Sequence, residues 1–308
     1  MPDIVISEFM DEATLRSAFA GRDVLYDPKL VESESALFAA LRSARALVVR
    51  NRTQVRTALL AAAPKLVVVG RLGVGLDNID MTACKARGVA VYPATGANNI
   101  AVAEYVITAM LVLLRRAWFA TPQVIAGHWP RMTTIGRELS GKTIGLIGFG
   151  AIARETAQRA RALGMQVVAF DPYIPANSPV WNGTRAVTMI ELLRASDVVS
   201  LHVPLTTSTH HMIDAAALAQ MPRHATLINA ARGGVVDEEA LASALKNGQI
   251  AGAALDVFEK EPLDGAGGSV FADAPNLILT PHIAGVTEES NVRVSEVTAE
   301  AVLRHLAD

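Results

Sequence analysis

Short, continuous apolar runs alternate along the whole chain with segments whose apolar residues recur at helical spacing. In the first third the runs fall at positions 4–6, 24–26, 46–49, 66–69 and 89–91, separated by helix candidates at 12–19, 34–42, 54–62 and 79–86. A strand that is apolar at successive positions is buried on both faces, and strand-helix alternation implies βαβ crossovers, so this portion predicts a small parallel sheet covered by helices. A second series of runs lies at 142–147, 166–170, 198–201, 226–229, 251–255 and 277–279. The helices between them carry local boundary signals. Thr188 with Glu191 forms a capping-box pattern, Asp237 stands ready to cap the following helix, and Gly164 and Gly248 sit where helices should end.

Two consecutive sheets in 308 residues suit the size at which one hydrophobic core usually stops growing. A polar, Pro-containing stretch at 121–140 precedes the second sheet, and the last amphipathic stretch, 288–306, has no sheet after it. That closing helix is expected to return to the first domain. The fold class is therefore α/β, two doubly wound parallel-sheet domains, a flavodoxin-like substrate domain and a Rossmann dinucleotide domain, with a cleft between them. The boundaries are 1–97 plus 287–308 for the first domain and 98–286 for the second, with hinges at 94–99 and 283–287. No internal repeat or low-complexity tract interrupts this pattern.

Composition narrows the function. The chain is 51% hydrophobic and only 5% aromatic, with a formal net charge of −2, so it has neither a stacking surface for bases nor a global positive field for nucleic acid or an anionic membrane. Cys84 is the sole cysteine and is expected to be a small core residue, which fits a reducing compartment. The first residues carry Asp3, Glu8, Asp11 and Glu12 rather than an export signal, so the expected location is the cytoplasm. The most apolar stretch, 100–114, contains Glu104 and is shorter than the ~20 residues a bilayer needs. It predicts a helix buried on most sides, one route to which is the interface of a homodimer or higher homo-oligomer.

Chemistry enters at Gly148-Phe149-Gly150-Ala151-Ile152-Ala153, which follows an apolar strand and opens a helical stretch. In that context the glycines form a Rossmann fingerprint: they permit a tight turn and bring backbone N–H groups, with Ala151 and Ile152 at the helix start, against a pyrophosphate. Asp171 ends the next strand, about twenty residues on, where a carboxylate accepts from adenosine ribose hydroxyls and repels a 2′-phosphate. NAD is the expected cofactor.

Four further segments carry a resemblance. They are Arg71-Leu72-Gly73-Val74-Gly75-Leu76-Asp77-Asn78-Ile79-Asp80, then residues 227–237 around Asn229-Ala230-Ala231-Arg232-Gly233-Gly234, residues 253–262 ending Glu259-Lys260-Glu261-Pro262, and Leu279-Thr280-Pro281-His282-Ile283-Ala284-Gly285. Over nearly the whole chain, and in order, these resemble the D-isomer-specific 2-hydroxyacid dehydrogenases. The resemblance implies that Arg232, Glu261 and His282 are the catalytic set. It also implies that His202, Val203, Pro204, Thr209, Ala230, Asp256, Arg232 and His282 lie about the cofactor. Imidazole is suited to giving and taking the proton at the C2 oxygen, a carboxylate at its other nitrogen fixes the tautomer and favours the imidazolium, and a guanidinium fork suits the substrate carboxylate. No metal is required. His210 and His211, adjacent in sequence, are expected to point apart and to bind none. His210 stands where the family more often has Arg, and Thr207-Ser208 where it more often has Pro-Glu.

Substrate contacts are expected from the Val74-Gly75 amides and from Arg50, Asn51 and Arg52 at a strand end, where an arginine would suit an anionic group on C3. Residues 128–131 are a further candidate for closing the pocket, and feedback inhibition through an appended domain is not expected. The leading reading is a dehydrogenase of a small anionic 2-hydroxy or 2-oxo acid, of the phosphoglycerate, glycerate or sulfolactate type. The alternative is an NAD(H)-sensing interaction protein resembling the C-terminal-binding corepressors.

Overall fold

The computed structural model describes residues 2–307. Its contacts divide the chain into two compact units, Met1–Asn98 with Val286–Asp308, and Asn99–Gly285. The first unit runs β1 (Ile4–Ile6), α1 (Glu12–Ala18), β2 (Val24–Tyr26), α2 (Glu34–Leu41), β3 (Ala46–Val49), α3 (Thr57–Ala62), β4 (Val68–Arg71), α4 (Met81–Ala86) and β5 (Ala90–Pro93). The five strands form one parallel sheet in the order β2-β1-β3-β4-β5. The order in which strands are added reverses between β1 and β3, so the residues just after these two parallel strands, Glu8 and Arg50–Thr53, share the crevice end of the sheet. Every β1 and β3 side chain is buried, as their uninterrupted apolar sequences require. Strands β4 and β5 begin one or two residues later than hydrophobicity suggests, because Leu66 and Val89 pack into the core from the preceding loops.

The second unit opens with α5 (Asn99–Arg115) and α6 (Thr121–Ile125). It continues β6 (Thr143–Ile147), α7 (Ala151–Ala162), β7 (Gln166–Phe170), β8 (Arg185–Ala186), α8 (Met189–Ala195), β9 (Val198–Leu201), α9 (Ala215–Leu218), β10 (Thr226–Asn229), α10 (Glu238–Lys246), β11 (Gly252–Leu255), α11 (Gly265–Val270) and β12 (Leu277–Leu279). These seven strands are all parallel, in the order β12-β11-β10-β9-β6-β7-β8. The reversal falls between β6 and β9. The predicted caps form: Thr188 and Glu191 make both halves of a capping box, and Asp237 accepts the Ala240 N–H at the start of α10. Two-residue β8 and glycine-rich α11 lack the length or periodicity to announce themselves in the sequence.

Helix α12 (Glu288–Ala307) ends the chain and packs on the first sheet, with Val294, Val302 and Leu306 in one cluster with Ile4, Ile6, Val48 and Val68. Much of the apolar 100–114 stretch is buried within its own unit, while Ile100 stays 43% exposed. In α5, Val106, Met110, Leu113 and Leu114 pack with Ile144, Leu146 and Phe149, against an α7 face of Ala153, Ala157 and Ala160. Small alanines let the two helices approach closely. Among the described residues no helix is long and apolar enough to cross a membrane.

Candidate active site

The cofactor candidates gather at the carboxyl ends of the second sheet's strands, around its reversal point. Gly148 follows β6 with φ +85°, and a Cβ there would lie 2.5 Å from the carbonyl oxygen of His202, the first residue after β9. Only glycine allows the two strand ends to approach this closely. Gly150 occupies the N-cap of α7 with no side-chain hydrogen bond to the helix, and the space where its Cβ would stand is open. The first N–H groups of α7, from Ala151 and Ile152 onward, thus carry partial positive charge at a helix start that no side chain caps, the kind of end that suits an anion. Asp171, just after β7, accepts from the Phe149 N–H at 2.9 Å and the Tyr173 N–H at 3.0 Å, which fixes its carboxylate beside the glycine turn. These features fit a dinucleotide.

His202 and Thr209, two of the expected cofactor contacts, each make hydrogen bonds within the protein. The His202 ring hydrogen-bonds Ser200 Oγ at 3.0 Å, and burial pushes it down to about 4, leaving a neutral imidazole turned to the protein. Val203 and Pro204 continue from it along the same edge. Thr209 Oγ1 donates to the Pro204 carbonyl at 2.6 Å and accepts the Thr206 N–H at 2.8 Å, so its hydroxyl closes its own turn.

Arg232, Glu261 and His282, which lie after β10, β11 and β12, come together. His282 Nδ1 is 2.7 Å from Glu261 Oε2. Since a carboxylate only accepts, Nδ1 carries the proton in this pair and Nε2 is the nitrogen left for chemistry. Burial opposes ionisation of Glu261, but the His282 contact, the Phe258 N–H at 3.0 Å and the charge of Arg232 together hold its carboxyl below the usual glutamate value. Arg232 is braced by Asn229, whose Nδ2 donates to the Arg232 carbonyl at 2.9 Å while Oδ1 accepts the Ala231 N–H at 3.1 Å. Ala230 lies between them.

Asp256 is 1% exposed. Its carboxylate accepts from Thr280 Oγ1 at 2.6 Å and from the N–H groups of Ile283 and Ala284 at 2.8 and 2.7 Å, while its carbonyl accepts the His282 N–H at 2.8 Å. Its oxygens are thus tied to the loop that carries His282. Tyr105 extends this chain. Because Thr280 spends its proton on Asp256, the Tyr105 hydroxyl must be the donor in its 2.5 Å contact with Thr280.

Arg50, Asn51 and Arg52 form a turn in the first unit after β3. Glu8, 4% exposed, accepts the N–H groups of Arg50, Arg52 and Thr53 at 2.8, 3.0 and 2.9 Å. Asn78 donates to the Arg50 and Thr53 carbonyls, and Arg50 Nη2 donates to Asn291 Oδ1 at 2.8 Å. Val74 and Gly75 lie in the loop after β4, whose turn is tied by the Arg71 guanidinium donating to the Leu72 carbonyl at 3.0 Å. Sequence reasoning missed Glu8, Asn78, Asn229, Thr280 and Tyr105, all of which act through backbone groups or through other side chains. Asn78, Asn229 and Thr280 stand inside the segments that carry the resemblance, Glu8 follows β1 and Tyr105 lies within α5, but nothing in the local pattern marks their partners.

His210 and His211 do not diverge as expected. Their rings stack with centroids 4.0 Å apart, because His211 adopts φ +49°, and His211 Nε2 meets Glu259 Oε1 at 2.6 Å. Among the described residues no group of three or more His, Cys, Asp or Glu is arranged to hold a metal. Cys84 is buried in the first unit's core.

Residues 107–284 match the family model "D-isomer specific 2-hydroxyacid dehydrogenase, NAD binding domain". The chain is 52% identical over 307 residues, 99% of each chain, to the (S)-sulfolactate dehydrogenase of Chromohalobacter salexigens. It is 40% identical over 275 residues to the D-3-phosphoglycerate dehydrogenase of Methanocaldococcus jannaschii, covering 89% of this chain and 52% of that one. It thus spans about half the length of that longer relative. Among solved structures, D-lactate dehydrogenase from Aquifex aeolicus complexed with NAD and lactic acid superimposes with a TM-score of 0.87 at 29% identity, over 99% of this chain and 95% of that one. A glycine turn shaped for a dinucleotide, a proton-carrying imidazole paired with a carboxylate, and a relative 52% identical across 99% of both chains lead to one conclusion: the chain belongs to the D-isomer-specific 2-hydroxyacid dehydrogenases, NAD-dependent enzymes that interconvert a 2-hydroxy acid and its 2-oxo acid.

Proposed function

We propose that this dehydrogenase acts on a small 2-hydroxy acid with a second anionic group on C3, and that (S)-sulfolactate is its substrate. The observation that carries the choice is the 52% identity, across 99% of both chains, to an enzyme named for that compound. The Arg50-Asn51-Arg52 turn supports it: two guanidinium groups on one clasped turn suit a sulfonate better than the methyl group of lactate. In this reading the first unit binds substrate, through that turn and the Val74 and Gly75 amides, and the second binds NAD.

The geometry of the second unit supports the following chemistry. With Nδ1 committed to Glu261, His282 takes the C2 hydroxyl proton at Nε2 during oxidation and returns it to the C2 oxygen during reduction. Glu261 offsets the charge that appears on the imidazole. Arg232 pairs with the C1 carboxylate and polarises the C2 oxygen. NAD, when bound, accepts the C2 hydrogen with its electron pair. Asp256, Thr280 and Tyr105 hold the His282 loop in place. This enzyme is read as a cytoplasmic homodimer. Support for the dimer comes from the segment beyond α5, where Trp118, Ile125, Trp129, Met132 and Ile135 are all more than 60% exposed, a density of apolar surface uncommon on a monomer.

NAD reduction measured with (S)- and (R)-sulfolactate, 3-phosphoglycerate, glycerate and lactate tests the proposal. The highest kcat/KM is expected with (S)-sulfolactate. A preference for 3-phosphoglycerate would overturn the substrate, and turnover no greater than that of His282→Ala would overturn the catalytic assignment.

A further inference from the structure

Glu238 is the first residue of α10 and has no part in the reaction described above. Its side chain turns back from the helix, and Oε1 accepts the Glu259 N–H at 2.7 Å. The preceding amide, that of Phe258, donates to Glu261 Oε1 at 3.0 Å. Two carboxylates thus hold consecutive N–H groups of one turn, and one of them is the partner of His282. The same peptide meets the loop of Arg232: a Cβ on Gly233 would lie 1.7 Å from the Phe258 carbonyl oxygen and 2.8 Å from the Glu259 nitrogen. The 258–259 peptide is therefore the point at which the Arg232 loop, the Glu261 loop and the start of α10 are joined.

We propose that Glu238 is a positioning residue for hydride transfer: it anchors the turn that carries Glu261 and places a second negative charge behind the Glu261–His282 pair. The proposal rests on His282 being the acid/base. The charged groups around Glu238 are Glu259 and Glu261 on the turn and His211 on the loop after β9, with Arg232 and His282 reached through Glu261. Burial, followed by the charges of Glu259 and Glu261, pushes the Glu238 carboxyl up against the opposing Glu259 N–H and His211. These repulsions are what a carboxylate in electrostatic contact with the catalytic pair should feel. A negative charge behind the pair favours its proton-loaded form, so removing it should make that proton easier to lose.

Glu238→Gln keeps the size and an acceptor for the Glu259 N–H but removes the charge; Glu238→Ala removes both. For reduction of the 2-oxo acid, the limb of the kcat/KM profile that falls at high pH is expected to move to lower pH by about half a unit in Glu238→Gln, with kcat at the optimum within about twofold of the parent. Glu238→Ala should show the same displacement and lose about tenfold more in kcat, while Glu239→Gln, on the exposed next position, should coincide with the parent. A Glu238→Gln profile superimposed on the parent's would overturn the proposal, as would a variant that melts at lower temperature with its profile unmoved, or one that does not fold. His282→Asn separates the two levels of the argument: if it keeps turnover and the same high-pH limb, the acid/base reading itself fails and Glu238 with it.

Discussion

His282 owes its assignment to a single committed nitrogen. The 2.7 Å contact with Glu261 fixes the proton on Nδ1 and leaves Nε2 to exchange one with the substrate. His282→Asn should therefore lower kcat by about 10²–10⁴, the usual contribution of a positioned acid/base, with the NAD dissociation constant from fluorescence titration almost unchanged. Arg232→Lys keeps the charge but loses the planar fork, so kcat/KM for the 2-oxo acid should fall by at least about tenfold, the equivalent of one charge-assisted hydrogen bond. Equal kinetics for the lysine variant would remove Arg232 from carboxylate recognition. Sequence alone named these three residues only through the family's motifs. Singly, each was as ordinary as His224 or Glu259, and nothing in the spacing of positions 232, 261 and 282 shows that three strand ends bring them together.

At the scale of elements, two buried or half-buried carboxylates act as staples. Glu8 draws three N–H groups of the turn after β3 onto the end of β1, and losing it would leave those amides without their acceptor. Glu8→Ala should cost about 1–3 kcal/mol per amide that water cannot reach, and should raise KM for the acid substrate while KM for NAD stays as it was. The second staple is Asp197, just before β9. Burial disfavours its charge, but the Thr143 N–H at 3.0 Å, Arg137 Nη2 at 2.8 Å and the neighbouring His224 outweigh this and hold its carboxyl below the ordinary value of 3.8. A depressed folded-state value means that the contribution to stability is present above 3.8 and is lost as pH falls through the lower, folded value. Thermal melts of Asp197→Asn should accordingly be lower than the parent's at pH 7 and converge with them at the most acidic pH tested. A constant gap at every pH would assign the loss to shape rather than charge.

For the whole molecule, the proposed dimer is read on the exposed apolar surface beyond α5, because most of the apolar face of α5 packs on α7 and the second sheet. Replacing Ile125 and Trp129, 82% and 80% exposed, with serine should convert a dimer to a monomer by light scattering without unfolding it. An unchanged mass would move the interface elsewhere. NAD preference is also read on the intact enzyme: Asp171→Ala should raise KM for NAD and narrow its advantage over NADP, because the carboxylate that repels a 2′-phosphate is gone.

What the sequence determined by itself is local. Continuous apolar strands, helix caps at Thr188 and Asp237, and the glycine turn at 148–150 depend on neighbours within a few positions, and each formed as its pattern required. Periodicity also implied parallel sheets, because βαβ connections admit little else. Tertiary structure alone decided which strand ends meet, and with that the partners of every polar group in the site. It turned Asp256 inward to the His282 loop, stacked His210 on His211, and set Glu238 behind Glu261 through a backbone amide twenty-one positions away. Such contacts leave no periodic trace, because a carboxylate that binds an amide asks nothing of the residue type it binds.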